Sequence, residues 1–162
     1  MSFSAELVIA VIDSLAASVV SRTIDGGWGV DALTGHQTRD HEDLDLVVKL
    51  EEIDAVLETL RGLGFELHLD LRPTRVVAKH ADGLWVDLHP VEFDSSGTGW
   101  QRGAGREGSD CPYPSDGFSE GTIAGRTVPC LSAALQVLHH QGYAPHDKDR
   151  HDLELLSALL SR

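Results

Sequence analysis

Positive charge is scarce in this chain: 13 Lys and Arg stand against 26 Asp and Glu, a formal net charge of −13 over 162 residues. A field of that sign repels nucleic acid, whose capture rests on basic patches, so no nucleic-acid partner is expected. The same field attracts cations, including amine-bearing small molecules. Long apolar runs are missing too. None approaches the roughly 20 residues that cross a bilayer, so no membrane partner is expected. Met1 to Ala5 lacks the basic start and cleavage pattern of a signal peptide, from which a cytoplasmic location is expected. Cysteine is limited to Cys111 and Cys130, which form no CxxC pair. That removes zinc ribbons and thioredoxin-like motifs and leaves two ordinary reduced thiols. There are nine histidines, and His139, His140, His146 and His151 gather near the C-terminus without the spacing of a zinc site.

What is present is the composition of an ordinary globular protein, 41% apolar and 24% charged. The length fits one domain spanning 1–162. Helical spacing runs through Leu7, Val8, Val11, Ile12, Leu15 and Val19, with Ser4 as N-cap. A short strand is expected at Ile24 to Gly27, then a helix over Trp28 to Leu33 stopped by Gly35. Strands follow at Leu44 to Leu50, Phe65 to Leu71, Arg75 to His80 and Leu84 to His89, with a helix over Glu51 to Leu63. Leu131 to Gln141 and Lys148 to Leu160 read as two closing helices. This order gives an α+β fold, a mixed sheet flanked by helices. Residues 94–121, rich in Gly, Ser, Pro and Asp, read as a long flap-like loop forming one wall of a pocket, where Trp100 and Tyr113 are candidates to line an acceptor site.

The informative segment is Asp25 to Val48, DGGWGVDALTGHQTRDHEDLDLVV. On a strand, Asp43 and Asp45 project from one face while Leu44 and Leu46 enter the core. Two such carboxylates repel by roughly 3 kcal/mol at 5 Å and an effective dielectric near 20, a cost that a cation relieves. Magnesium, which takes one or two carboxylates plus phosphate and water, suits that pair. In Trp85-Val86-Asp87-Leu88-His89, Asp87 and His89 share a face. If this strand lies beside the first, Asp87 completes a three-carboxylate cluster of the kind that holds two metal ions in in-line displacement. Gly26 and Gly27, between a strand and a helix start, let backbone N–H groups approach phosphate oxygens. No Gly-Lys-Ser/Thr follows them, so this is not a Walker A loop.

The glycine pair, the Asp43-Leu44-Asp45 triplet and a third acid on a later strand resemble the polymerase-β-like nucleotidyltransferase superfamily. The fuller string GGWGVDALTGHQTRDHEDLDL, with Asp87-Leu88-His89-Pro90, Gly99-Trp100-Gln101 and Lys148-Asp149-Arg150-His151-Asp152-Leu153, resembles the small antibiotic nucleotidyltransferases of the lincosamide and aminoglycoside 2''-adenylyltransferase types. The resemblance implies a polymerase-β-like fold and transfer of a nucleoside monophosphate, AMP from ATP, onto a hydroxyl of a cationic small molecule. A lincosamide ranks first as acceptor and an aminoglycoside second. A protein or housekeeping metabolite is the alternative acceptor. It implies Mg2+, two ions, held by Asp43, Asp45 and Asp87. Gly26, Gly27, Arg39 and Lys148 would meet the triphosphate. Asp87 comes first as general base, with His89 and Glu92 as alternatives, and His89, Glu92 and Trp100 would face the acceptor. A homodimer is expected on family likeness alone.

Overall fold

A computed structural model describes residues 1–162. Helix α1 (Ala5–Ala17) is capped by Ser4, whose hydroxyl accepts the Leu7 N–H at 3.1 Å, and it buries Val8, Val11, Ile12 and Leu15. Strand β1 (Thr23–Asp25) runs directly into helix α2 (Gly26–Thr34), which Gly35 ends in the left-handed conformation. Then come β2 (Asp43–Lys49), α3 (Ile53–Arg61), β3 (Phe65–Leu71), β4 (Arg75–His80) and β5 (Trp85–Phe93). The second half holds β6 (Gly99–Gln101), β7 (Cys111–Tyr113), β8 (Phe118–Ile123), β9 (Arg126–Leu131), α4 (Ala133–His139) and α5 (Asp147–Leu160). No helix is long and apolar enough to cross a membrane.

The sheet runs β3-β4-β5-β2-β1-β9-β8, with β6 and β7 added at the end of β5. It is mixed: β2 is parallel to β5 and antiparallel to β1, while β1 is parallel to β9. Alternation then divides the residues of β2 and β5 between two faces. Leu44, Leu46, Val48, Val86 and Leu88 enter the main core with α1 and α3. The other face carries Asp45, Asp87 and His89. Beyond them Val47 and Val91 are covered by Tyr113, Leu131 and Leu135 in a second, smaller core. The acids thus stand on a rigid sheet, buried on its far side and open on theirs.

Two expectations need correction, and one element was not expected at all. Helix α2 begins at Gly26, not Trp28, because the Asp25 carboxylate accepts the Gly26 N–H at 2.7 Å and closes the strand immediately before it. Residues 94–121 are not one loop: β6, β7 and the start of β8 lie within them. The turn into β6 is organised by Asp94, whose carboxylate accepts from the Ser96 and Thr98 N–H groups and from Trp100 Nε1. Three-residue strands among glycines carry too little alternation to be read as strands. The β8–β9 hairpin went unassigned for the related reason that Pro129 interrupts the second of its strands.

Candidate active site

Register decides what the sheet brings together. Asp45 pairs with Asp87 across β2–β5 and with Asp25 across β1–β2, so three aspartates stand side by side on adjacent strands. His89, two residues along from Asp87, presents Nε2 to Asp45 Oδ1 at 3.1 Å. One donor atom each from Asp45, Asp87 and His89 falls within 4.8 Å of the others. Asp43 shares the strand face but pairs with Trp85, one pleat back, and stands outside this tightest group. Its charge still reaches Asp45, Arg39 and Arg75.

The electrostatics are those of a site short of positive charge. Burial raises the Asp45 carboxyl above the ordinary range; the neighbouring charges of Asp43 and Asp25 add to this and His89 opposes it. Burial alone would lower His89, but the hydrogen bond and charge of Asp45, with Asp25 and Asp87, lift it to about 9. Asp45 and His89 therefore both hold their protons more tightly than the free side chains do. A second counter-charge is Arg75, whose guanidinium meets both Asp87 oxygens, with Nε at 2.9 and 3.1 Å.

The glycine pair closes one side of the acids. Gly26 has φ +61°, and a Cβ there would strike the Asp45 carboxylate. A Cβ on Gly27 would lie 2.5 Å from both Arg39 Nη2 and His41 Nδ1. Arg39 is held there by Asp152 on α5, through bonds of 3.0 and 2.8 Å. His41 is held from behind by Asp31, which also accepts the Thr38 hydroxyl. Together these place backbone N–H groups, a helix N-terminus and a guanidinium beside the carboxylates.

On the other side lies a cleft of about 550 Å³, walled by Arg75, Gln101, Tyr113 and His139 among others. The Gln101 amide ties this wall together: it donates to the Thr74 carbonyl at 2.8 Å and accepts the Tyr113 hydroxyl at 2.7 Å. Two residues expected here are elsewhere. Glu92 is half-exposed, opposite Trp100 in the β5–β6 register, and borders a separate hollow with Lys49 and Phe93. Trp100 bonds Asp94, and the pleat points it away from Gln101, which takes the cleft side. Lys148 is exposed on the first turn of α5 and lines neither the cleft nor its neighbours. Tyr113, by contrast, does line the cleft.

A family model for aminoglycoside-2''-adenylyltransferase matches residues 7–156. The chain belongs to that family. It is 32% identical to a lincosamide resistance protein of Staphylococcus haemolyticus over 149 residues, covering 92% of this chain and 91% of that one. It is 36% identical to a 2''-aminoglycoside nucleotidyltransferase of Escherichia coli over 112 residues, 67% of this chain and 56% of the longer relative. Among solved structures, the lincosamide antibiotic adenylyltransferase LnuA bound to lincomycin superposes with a TM-score of 0.85 at 30% identity, covering 98% of this chain and 99% of that one. The ANT(2'')-Ia complex with adenylyl-2''-tobramycin gives 0.70 at 21% identity, over 98% and 97%, a likeness of fold.

Within this nucleotidyltransferase fold, the residues that sequence reasoning passed over are Asp25, Arg75, Gln101 and the Asp31–His41 pair. Asp25 carried a usable signal, since an acid directly before a glycine pair at a helix start is an N-cap. Arg75 carried none, and Gln101 entered only within the Gly99-Trp100-Gln101 motif, without a role of its own. They reach the site only through the β4–β5 register and the added β6 strand.

Proposed function

We propose that the protein transfers an adenylyl group from ATP to a hydroxyl of a lincosamide, releasing pyrophosphate. The observation that carries this reading is the meeting of Asp45, Asp87 and His89 beside the Gly26–Gly27 helix start, on a chain that aligns with LnuA over nearly its whole length. Asp45 and Asp87 would hold magnesium, with Asp43 as the further donor a second ion would need. The donor chemistry fits: two adjacent carboxylates, with raised proton affinity at Asp45, favour a neighbouring positive charge, and oxygen is the ligand magnesium prefers. An imidazole suits it poorly, so His89 is read as the group that orients Asp45. When bound, the metal neutralises the charge on the phosphates and steadies the attacking and leaving oxygens.

The chain's own groups do the rest. Gly26 and Gly27 offer N–H groups, and Arg39 a charge, to the phosphates that depart as pyrophosphate. Glycine at both positions keeps Cβ atoms out of that space. The acceptor hydroxyl enters from the cleft side and its oxygen bonds to the α-phosphorus. Its proton passes to the Asp87 carboxylate as the bond from phosphorus to pyrophosphate breaks and the leaving oxygen takes the electron pair. Glu92 is too far around the strand to serve as base. Most of the acceleration comes from placement and charge neutralisation, as in phosphoryl transfer generally.

The test is mass spectrometry of lincomycin and tobramycin after incubation with ATP and magnesium. An adenylyl mass gain on lincomycin, absent in Asp45→Asn of unchanged fold, is the expected result. A gain on tobramycin alone would move the acceptor to the aminoglycosides, the class in the names of the shorter-matching relatives. No gain on either would sink the reading.

A further inference from the structure

Beyond the acid cleft lies a second chamber of about 640 Å³ that takes no part in the chemistry above. It shares the wall residues Ala104, Cys111, His139 and Tyr143 with the cleft, so the two spaces adjoin. It opens between the β6–β7 connection and the α4–α5 loop. Its apolar surface comes from Leu138, Pro112 and the ring of Tyr143. Leu138 and Tyr143 are about half exposed, 48% and 49%, and so are open to a ligand in the chamber.

The charges in the chamber run against those of the molecule. Its one carboxylate, Asp110, is already neutralised: Arg102 Nη1 donates to it at 2.8 Å and the Gly103 N–H at 3.0 Å. That pairing lowers the Asp110 carboxyl, first through the Gly103 N–H and then through Arg102. Arg106, which also lines the chamber, lies along Gly142 and has no carboxylate within ion-pair reach. A protein of net charge −13 thus presents here an unpaired guanidinium and an apolar wall.

The position relative to the acids sets which substrate arrives. In-line displacement requires the attacking hydroxyl opposite the departing pyrophosphate. The phosphates belong on the Gly27–Arg39 side, so the acceptor comes from the Asp87–Gln101 side, where β6 and β7 stand. We infer that this chamber is the subsite for the part of the acceptor remote from the modified hydroxyl, and that it selects a monobasic acceptor with an apolar arm over a polyamine. The apolar arm lies against Leu138, Pro112 and Tyr143. Arg106 repels the additional ammonium groups that a polyamine would bring, and no free carboxylate receives them. This rests on the adenylyl-transfer reading of the adjoining cleft.

Two exposed positions test it. Leu138→Asp replaces the apolar wall by a charge, and Arg106→Glu reverses the selecting charge; neither belongs to the reacting group. Steady-state kinetics should show the lincomycin KM of Leu138→Asp rising roughly tenfold or more with kcat and the ATP KM unchanged. Tobramycin affinity, measured by calorimetry, should tighten roughly tenfold in Arg106→Glu. A change confined to the ATP KM would overturn the inference by giving the chamber to the nucleotide. Unmoved lincomycin KM and tobramycin affinity would overturn it as well. Should the wild type adenylylate neither drug, the activity reading fails alone. The chamber is then judged by saturation-transfer NMR of lincomycin: binding lost in Leu138→Asp upholds it, and no binding to the wild type refutes it.

Discussion

Two arginines stand on opposite sides of the same acids, and each grips an aspartate through both nitrogens of its fork, yet their circumstances differ. Arg39 joins the segment after α2 to Asp152 on α5, 113 residues away, with side chains 24% and 4% exposed. Arg75 joins β4 to Asp87 on the adjacent strand, and its own side chain is 46% exposed. Asp152 touches nothing else that reacts. Asp87 is one of the acids on which the proposed transfer depends. The same ion pair is therefore a clasp between distant segments in one place and a counter-charge on a proposed catalytic acid in the other. Burial tells them apart, because removing one partner of a buried pair strands a charge, while a solvated guanidinium loses little.

The largest effect should come from breaking the second pair on its acid side. Asp87→Asn keeps the shape and loses the charge, and adenylyl transfer should fall by roughly 10³-fold while the thermal midpoint stays near that of the wild type. A stopped assay on lincomycin with matched circular dichroism checks both halves. A variant that keeps its rate would place the proton acceptor elsewhere, with His89 next in reach. Breaking the first pair should cost stability in addition to the phosphate contact proposed for Arg39. Arg39→Met strands Asp152, and urea unfolding should show a loss of about 2–4 kcal/mol. A loss below about 0.5 kcal/mol would mean that the clasp is no stronger than a surface pair.

Arg75→Ala sharpens the comparison further. Its stability cost should be under about 1 kcal/mol, given its exposure. Its main consequence should be electrostatic: with the guanidinium gone, Asp87 is free, and Mn2+ should bind the nucleotide-free protein several-fold more tightly in an electron-paramagnetic titration. Unchanged Mn2+ affinity would show that Arg75 and the cation do not compete for Asp87.

This contrast also marks what could be read in the chain. The strands carrying Asp43, Asp45 and Asp87 were legible because period-two alternation of Asp with Leu and Val is a local signal, and β3 and β4 came out with the residue bounds the structure gives them. Pairing of β2 with β5 entered only as a condition, and its parallel direction not at all, since sequence carries no register between strands 40 residues apart. Arg39 was placed near the phosphates from its neighbourhood in the motif, but its partner Asp152 was invisible. Arg75 was invisible as a site residue. Glu92 and Trp100 were misplaced for a single reason: each lies out of phase with a cleft residue, His89 or Gln101, and an odd number of residues along a strand reverses the face. The glycine pair was legible as a turn from a strand into a helix start. Its crowding against Asp45 was not, because that depends on the β1–β2 register.

The smallest effect concerns the protons that the acid group retains. His89 lies at about 9 in the folded chain against about 6.5 when unfolded, and the Asp45 carboxyl is also raised. A raised histidine contributes stability that is complete below about pH 6.5 and is lost as pH climbs through about 9. A raised carboxyl works in the same direction, since ionising it is harder in the fold than in the unfolded chain. Metal-free protein should therefore lose a few degrees of thermal midpoint between pH 6.5 and 9. His89→Gln should flatten that slope, and saturating magnesium should flatten it too, by supplying the positive charge that the imidazolium had supplied. A slope that survives in His89→Gln would assign the titration to another group and leave Arg75 as the chief counter-charge beside the acids.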